Sequence, residues 1–379
     1  MRCEGCEATI GRWSPLSLCP ACHAVAGAPL LPAPRRFGSS VWLWNSSNAQ
    51  AALSSGSLSA VLRAYRAATG VSQRQLGEVL GYDPTYISMI ETGRRDVTDI
   101  ATRLRVARHL GLPPHTLGVT DPDNADVAAM LQFGESTLRL ATLARQSGHG
   151  TEAVNELWPL VARLEARAAH GLVERDVLTL LIRARAELGV SLGYILPEER
   201  LVTAARWTGR ALLLAERAED PRLLAHTLRV HGNELRKVGH PAAAVVRLQR
   251  AAELTQETLR GPALVQLARA AGELGDPQLF DQTITRARQA VETEPPDVVA
   301  SSYALHEVHL RGLIRTDRGR LAATLLDLSP TPGALLPPQW QAILQATVGE
   351  VLLTRNDHRD AQTAFERAVT VAQVHRLPH

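Results

Sequence analysis

The chain has four cysteines, and they form two closely spaced pairs near its start. Two residues separate Cys3 from Cys6, and two separate Cys19 from Cys22. Each pair can grip one metal ion from a tight turn, and four thiolates complete the closed tetrahedral shell of a structural Zn²⁺. A redox pair is the alternative, but nothing around these cysteines is typical of a thioredoxin. We therefore predict a zinc-ribbon-like module over residues 1–26.

A second set of residues, between Ser72 and Gly93, has the spacing of two short helices joined by a tight turn. Ser72 is a good N-cap for the first helix, because its side-chain oxygen can accept a hydrogen bond from a free backbone amide. Leu76, Val79 and Leu80 form the apolar stripe that this helix is expected to bury.

The turn and the second helix are equally well specified. Gly81 ends the first helix and can adopt the left-handed conformation that the turn requires. Asp83 can cap the second helix, whose first position is Pro84, where a missing amide is tolerated. Ile87 and Ile90 then face the core, so the remaining side chains of this helix point outwards.

This arrangement resembles the helix-turn-helix of the Cro/phage-repressor (XRE-type) family, and the resemblance extends over residues 57–119. It implies a first helix at Leu58–Ala68, a fourth at Thr98–Leu110 and a short fifth at Pro113–Leu117. In that family the outward face of the third helix lies in the major groove of DNA. The resemblance therefore implies a DNA-contact set, namely Gln73, Pro84, Thr85, Tyr86, Ser88, Met89, Arg94 and Arg95.

Within this set the resemblance implies phosphate contacts by Gln73 and by the arginine pair after the recognition helix. The chain departs from the family at the reading positions, because Pro84 and Met89 cannot make the bidentate hydrogen bonds that Gln, Arg or Asn make to bases. Reading would then depend on Thr85, Ser88, the neighbouring tyrosine, thymine-methyl packing and DNA shape. A degenerate domain kept for dimer contacts is the alternative.

The rest of the chain, residues 124–379, has apolar residues at helical spacing, and two of its blocks share one pattern. The first block has Gly232, Leu235, Gly239, Ala244, Leu248 and Ala251. At the same intervals the second has Gly349, Leu352, Asn356, Ala361, Phe365 and Ala368. Weaker copies cover Gly189–Ala211 and Ala268–Ala287. The pattern resembles the tetratricopeptide repeat, in which small residues lie where paired helices touch, and about six pairs would stack into a curved solenoid.

In a solenoid of this kind the first helices of the pairs line a concave groove. Asn and Arg side chains there could hold the backbone or the carboxylate of a bound peptide. A dimerisation or scaffold surface is the plainer alternative. By repeat position the groove would present Arg183, His226, Arg229, Asn233, Arg236, Tyr303 and His306.

Together these features predict an all-α protein with no strand beyond the cysteine module. Residues 27–56 read as a linker, in which the apolar stretch Val41–Trp44 is expected to pack on a neighbouring domain. The net charge is +3, but residues 1–120 hold 12 Lys and Arg against 7 Asp and Glu, while the remainder holds 29 against 31. The basic excess thus accompanies the helix-turn-helix, as a phosphate-facing domain needs.

The sequence has no phosphate-binding glycine loop, Gly-x-Ser-x-Gly or His-Glu-x-x-His motif, so we expect no enzymatic activity. The absence of any apolar stretch near about 18 residues, and of the plan of a signal peptide, favours the cytoplasm.

The domain order resembles Gram-positive, especially actinomycete, regulators that sense signalling peptides. We therefore expect a dimeric transcription regulator that binds a double-stranded DNA operator and is controlled by a peptide or small-molecule effector. An interaction or scaffold protein that acts through its repeats without DNA is the alternative. The zinc module is not part of the regulators' common plan, and a wider DNA footprint, dimerisation and capping of the next domain stay open as its role.

Overall fold

The structure is a computed structural model that describes residues 39–112, 114–119, 123–169, 174–255, 260–295, 297–326, 337–375 and 377. Within these ranges every regular element is a helix, which confirms the all-α prediction. The predicted zinc module, with Cys3, Cys6, Cys19 and Cys22, lies outside the described residues. None of the described helices is long and apolar enough to cross a membrane.

The described chain begins with a compact helical unit that a short 3-10 helix, Pro114–Leu117, closes. Its helices are α1 (Ser39–Asn45), α2 (Ser47–Ser54), α3 (Leu58–Thr69), α4 (Gln73–Leu80), α5 (Pro84–Glu91) and α6 (Ile100–Leu110). Buried apolar side chains from α3 to α6, together with Trp44 from α1, form its core. The predicted linker is therefore helical over much of the range from residue 39 onwards.

The capping residues begin and end α4 as predicted. Ser72 Oγ accepts a hydrogen bond from the Gln75 amide at 3.2 Å, and the Gln75 side chain accepts one from the Ser72 amide at 2.8 Å. Gly81 follows with a φ of 75°, a left-handed conformation that glycine adopts without strain. At the start of α5, Asp83 Oδ1 accepts from the Thr85 amide at 2.7 Å.

The predicted apolar stripe of α4 is wrong at Val79, whose side chain is 57% exposed. The buried residues of this eight-residue helix are Leu76, Gly77 and Leu80. At about 100° per residue, Val79 falls well to one side of that stripe. A Cβ on Gly77 would lie 2.5 Å from the Tyr82 carbonyl oxygen, so the glycine admits the backbone of the turn itself.

Helix α6 begins at Ile100, two residues later than the resemblance implies. Asp99 is the reason, because its Oδ2 accepts from the Thr102 amide at 2.7 Å and caps the helix there. These hydrogen bonds hold the pKa of Asp99 below its usual range.

The second unit is an array of six helix pairs within the described ranges. The pairs are α7 (Asp123–Gln146) with α8 (Gly150–Ala169), α9 (Arg175–Ile195) with α10 (Leu201–Ala215), α11 (Pro221–Lys237) with α12 (Pro241–Leu254), α13 (Gly261–Leu274) with α14 (Pro277–Thr293), α15 (Ser302–Arg315) with α16 (Gly319–Leu325), and α17 (Pro338–Thr354) with α18 (His358–Val374). The first helices of neighbouring pairs contact one another, as they do in a solenoid of stacked repeats.

The repeat pattern is confirmed where the paired helices approach most closely. A Cβ on Gly232 would lie 2.8 Å from Leu248 Cγ, and a Cβ on Gly349 would lie 2.7 Å from Phe365 Cε1. These glycines occupy the same position in the two blocks, and so do their partners. In interiors packed this densely, only a residue without a side chain fits at that position.

The turns inside the pairs repeat as well. Gly239 and Asn356, the turn positions of the two blocks, are left-handed, with φ of 79° and 61°. Gly148, Gly275 and Asp317 hold the same place in three other pairs, with φ of 88°, 74° and 59°. Five of the six described pairs therefore reverse direction in the same way, and the α9–α10 connection is longer.

Helix α1 contacts both units through two tryptophans, which we call the tryptophan clip (Trp42 and Trp44). Trp44 is 3% exposed in the core of the first unit, and its Nε1 donates to the Leu110 carbonyl oxygen at 2.7 Å. Its ring also stacks on Tyr65, with 6.0 Å between centroids. Trp42 packs against the core of the first helix pairs of the array, and the Arg217 guanidinium lies 4.4 Å from its ring centroid. The predicted packing of this apolar stretch is confirmed, and it involves both neighbours.

Polar contacts support the clip beside the two rings. The Ser47 amide, at the start of α2, donates to Glu219 Oε2 at 2.8 Å, and the Ser47 hydroxyl contacts the same oxygen. Arg175 Nη1, at the start of α9, donates to the Asn45 carbonyl oxygen at 3.0 Å. The junction between the units is therefore fixed by directional bonds as well as by apolar packing.

We predict that replacing the two tryptophans separately has different effects. Trp44→Ala removes a buried ring from the first unit and should lower its free energy of unfolding by about 3–5 kcal/mol. Trp42→Ala leaves that core filled, so amides in α4, α5 and α6 should keep their protection while those of α1 exchange faster. Hydrogen exchange on the full chain separates these outcomes. Equal loss of protection in α5 for both variants would contradict the separate roles.

Candidate nucleic-acid interface and inner channel

The outward face of α5 carries the predicted reading residues. Pro84 and Thr85 are exposed at its first turn, while Tyr86, Ser88 and Met89 are half-buried along it. The buried side of the same helix is formed by isoleucines and the last residue of the helix. This face therefore offers a partner three hydroxyl groups, one of them on an aromatic ring, and two apolar side chains.

The three predicted phosphate-contact residues lie beside α5 in two different settings. Arg94 and Arg95 are exposed just after the helix ends. Gln73, at the start of α4, is half-buried, and its Nε2 donates to Glu91 Oε2 at 2.6 Å. The Gln73 side chain is thus bound to another residue of its own domain, a contact that the sequence did not predict.

Glu91 links the first helix of the domain to the recognition helix. This carboxylate is 6% exposed and accepts hydrogen bonds from Arg66 Nη1 at 2.9 and 3.1 Å, besides the one from Gln73. Arg66 also donates from Nε to the Val71 carbonyl oxygen at 2.9 Å. The cluster ties α3, α4 and α5 together, and sequence reasoning missed it because no periodic pattern pairs residues this far apart.

A second unpredicted feature is a row of tyrosine and arginine side chains packed against one another beside the recognition helix. The rings of Tyr82 and Tyr86 have centroids 5.0 Å apart. The Arg95 guanidinium lies 5.1 Å from the Tyr86 centroid, and the Arg105 guanidinium lies 5.2 Å from the Tyr82 centroid. We call these four residues the arginine–tyrosine stack.

The array encloses a cavity of about 240 Å³ on the side lined by the first helices of its pairs. We call it the inner channel. Its walls come mainly from α7, α9, α11, α13 and α17, which are all first helices of their pairs. The polar and aromatic lining includes Arg145, Arg183, Glu187, Tyr194, His226, Arg229, Asn233, Gln266, Asp297 and Trp340.

Four of the seven predicted groove residues, Arg183, His226, Arg229 and Asn233, line this channel. The other three, Arg236, Tyr303 and His306, do not belong to its lining. Arg236 Nη1 instead pairs with Glu273 Oε1 at 2.6 Å, while the Tyr303 hydroxyl is buried without a hydrogen-bond partner among the described residues. Arg145, Glu187, Tyr194 and Trp340 were missed, although the positional rule used for α11 would have found Arg145 on α7.

Most charges of the channel are balanced by neighbours. Arg145 Nε donates to Glu187 Oε1 at 2.5 Å, and Arg183 Nη1 donates to Glu135 Oε1 at 2.5 Å. The Arg145 guanidinium also lies 5.1 Å from the Tyr194 ring centroid. Burial raises the pKa of that tyrosine, so its hydroxyl stays protonated at neutral pH.

Arg229 is the exception. Among the described residues, its guanidinium has no hydrogen bond and no ion pair within 4.0 Å. Burial lowers its pKa, and the nearby Asp297 opposes that shift. Burial also lowers the pKa of His226 well below its usual range, and the charges of Arg229 and Arg183 lower it further. At neutral pH the channel therefore holds, beside a neutral imidazole, one guanidinium on which Asp297 acts only from beyond ion-pair distance. We call this charge unmatched.

No group of three or more His, Cys, Asp or Glu side chains could hold a metal ion in the part of the chain that the structure describes. The four predicted zinc ligands lie outside that part.

Comparison with known proteins identifies the first unit. Residues 57–117 match the family described as a helix-turn-helix domain. The chain contains a helix-turn-helix domain. The matched range agrees with the predicted range of 57–119. No curated protein matches the chain.

The chain also shows distant similarity to several solved structures. The apo form of RapI has 9% identity and a TM-score of 0.47, covering 76% of this chain and 96% of its own. A Rap protein complexed with competence and sporulation factor has 9% identity and a TM-score of 0.46, with coverages of 90% and 89%. Bacillus thuringiensis PlcR, in complex with the peptide PapR7 and DNA, has 13% identity and a TM-score of 0.34, with coverages of 84% and 95%. All three TM-scores lie below 0.5.

We predict opposite stability effects for two arginines on α11. Arg229→Met replaces an unmatched, half-buried charge with an apolar side chain of similar length, so the free energy of unfolding should rise by about 1 kcal/mol. Arg236→Met breaks the ion pair with Glu273 and should lower it by roughly 1–2 kcal/mol. Thermal and urea unfolding of the two variants measure the difference. A stability loss in both variants would show that Arg229 has a structural partner after all.

Proposed function

We propose that the protein is a sequence-specific, dimeric transcription regulator whose helix-turn-helix domain binds an operator and whose array binds an effector. The outward face of α5, flanked by the exposed Arg94 and Arg95, is the observation that carries this proposal. A helix of this kind lies in the major groove, while arginines at its end contact phosphates and set the register.

The reading face supports base recognition with few hydrogen bonds and more apolar contact. Thr85 and Ser88 can each exchange one hydrogen bond with a base edge, while Pro84 and Met89 suit packing on thymine methyl groups. Without a bidentate side chain on this face, discrimination leans on apolar contact and on the shape and deformability of the operator. We infer that binding tolerates some base changes at the contacted positions of the operator. It should depend, however, on the sequence between those positions.

The inner channel supports binding of a ligand with an anionic group. Arg229 offers an unmatched guanidinium, and a carboxylate is its natural bidentate partner. Asn233 and Gln266, which also line the channel, can bond to amide groups of the same ligand. A peptide with a free carboxylate meets both requirements, and so does a small amide-bearing acid.

The tryptophan clip supports coupling between the two sites. Trp42 rests on the apolar core of the first helix pairs, which also form a wall of the channel. A ligand that shifts α7 or α9 would thus act on α1, and through Trp44 on the helix-turn-helix. In this proposal the effector changes the spacing of the two recognition helices in the dimer, which must fit half-sites about one DNA turn apart.

One observation favours the alternative, an interaction protein that acts without DNA. Helix α7 exposes an apolar row, with Phe133 70%, Leu140 64% and Leu143 54% exposed. A row of this kind suits a protein partner, or the second copy of a dimer. DNA binding decides between the two functions.

We predict that removing Thr85 and the two flanking arginines weakens operator binding. The variant Thr85→Ala/Arg94→Gln/Arg95→Gln should bind DNA selected by the wild-type chain from a random pool much more weakly. Because two phosphate contacts are lost, the plot of log Kd against log salt should become less steep by about 2. Fluorescence anisotropy over a salt series measures both effects.

The matched control is Arg63→Gln/Arg139→Gln, which removes the same charge from exposed positions on α3 and α7. It should bind like the wild type. Equal binding by the triple variant would contradict the assigned contacts. A wild-type chain without salt-dependent DNA binding would support the interaction protein instead.

We also propose one structural Zn²⁺ held by Cys3, Cys6, Cys19 and Cys22, on the basis of their spacing alone. Protein purified without added metal should contain about one zinc per chain by atomic spectroscopy, and Cys3→Ser/Cys19→Ser should contain none. Ser54→Ala, a substitution of similar size outside the cysteine set, is the control. A chain free of zinc after purification under reducing conditions would contradict the proposal.

A further inference from the structure

The arginine–tyrosine stack brings together residues from the turn before α5, from α5 itself, from the segment after it and from α6. Its order is Arg105, Tyr82, Tyr86, Arg95, with neighbouring groups 5.0–5.2 Å apart. Both guanidinium groups are exposed, and both rings are half-buried. The stack therefore lies on the surface of the helix-turn-helix domain, next to the reading face.

The stack fixes the two arginines but leaves their charges available. Arg105 Nη2 donates to the Tyr82 hydroxyl at 2.5 Å, which holds its guanidinium against the ring. Neither Arg95 nor Arg105 has an ion pair with any residue that the structure describes. Asp99 interacts electrostatically with Arg105, but its carboxylate is engaged in capping α6 through the Thr102 amide.

A purely structural role explains this arrangement less well. Cation–π contacts at exposed sites stabilise a fold by only about 0.5–1 kcal/mol each. Stacking does, however, restrict the rotamers of a long side chain, so that an arginine loses less entropy when it binds an anion. Arg105 uses one N–H group on the Tyr82 hydroxyl, and the other N–H groups of both guanidiniums can still donate to a phosphate.

We propose that the arginine–tyrosine stack is a second phosphate-contact row, in which Tyr82 and Tyr86 position Arg105 and Arg95. This rests on the proposed DNA-binding function and adds Arg105 and Tyr82 to its contact surface. Gln73 lies at the first residue of α4 and Tyr82 follows its last turn, so the domain meets phosphates at both ends of that helix. The row supplies sequence-independent affinity to a recognition helix that has few hydrogen-bonding side chains.

The test uses the full chain and a mixed-sequence DNA duplex, because phosphate contacts do not depend on sequence. Arg105→Gln should weaken binding several-fold and make the plot of log Kd against log salt less steep by about one. Arg63→Gln, an equally exposed arginine on α3, removes the same charge away from the stack and should leave both quantities unchanged. Thermal unfolding of each variant confirms that the fold is intact.

The tyrosine is tested by a graded pair of substitutions. Tyr82→Leu should weaken binding with little change in the salt slope, because Arg105 is still present but no longer held. Tyr82→Phe keeps the ring but loses the hydroxyl that accepts from Arg105, so its affinity should lie between those of Tyr82→Leu and the wild type. A purely structural role for Tyr82 would lower the unfolding midpoint without this difference in binding.

Failure of this inference and failure of the proposed function give different results. If the wild type binds the duplex with strong salt dependence and Arg105→Gln binds identically at every salt concentration, the inference about the stack is wrong while the proposed function stands. If the wild type itself shows no salt-dependent binding, the proposed function fails, and the stack has no phosphate to contact.

Discussion

The arrangement of the whole molecule depends on the tryptophan clip. Trp42 and Trp44 are two residues apart on a seven-residue helix, so their side chains point about 200° apart. A helix this short is unstable alone, and it persists because each unit buries one of its rings. The orientation of the recognition helix relative to the array is thus set by packing and hydrogen bonds, rather than by a flexible connection. Within the described residues, this junction gives the channel a packed route to the helix-turn-helix unit.

Inside the array, residues that hold the pairs together and residues that face the channel occupy different sides of the same helices. Gly232 faces Leu248 of its partner helix, whereas Arg229 and Asn233, on the same turns, line the channel. Packing therefore constrains one side to glycine and small apolar residues while the other side is free to vary. That separation explains how one helix can carry both a close helix contact and an unmatched positive charge.

Local sequence patterns were sufficient to predict the helix-turn-helix and the repeat positions. Ser72, Gly81 and Asp83 specify caps and turns through their own side chains or φ angles, and the structure places each as predicted. The Arg66–Glu91 pair and the arginine–tyrosine stack could not be predicted, because they join residues from separate helices without any shared period. Val79 shows the same limit, since in so short a helix the neighbours, not the pattern, decide which side is buried.

The channel shows where positional reasoning succeeds and where it stops. Assigning groove residues by repeat position worked on α9 and α11, since the repeat pattern fixes which side of those helices is concave. It failed for Arg236, whose length allows it to reach Glu273, and for Tyr303, whose hydroxyl is buried. The positional rule gives the side of the helix from which a side chain extends. Which group that side chain then contacts depends on the neighbouring helix.

The left-handed turns have a consequence for the mechanics of the array. Glycine holds this position at three turns, but Asp317 and Asn356 hold it in the last two pairs, where a side chain makes the conformation unfavourable by about 1 kcal/mol. Helix α18 also buries only two residues fully, whereas α11 buries nine. Of the described helix pairs, the last two should therefore need the least free energy to open locally. Because α17 contributes Trp340 to the channel, opening of the last pair would connect the channel with solvent on that side.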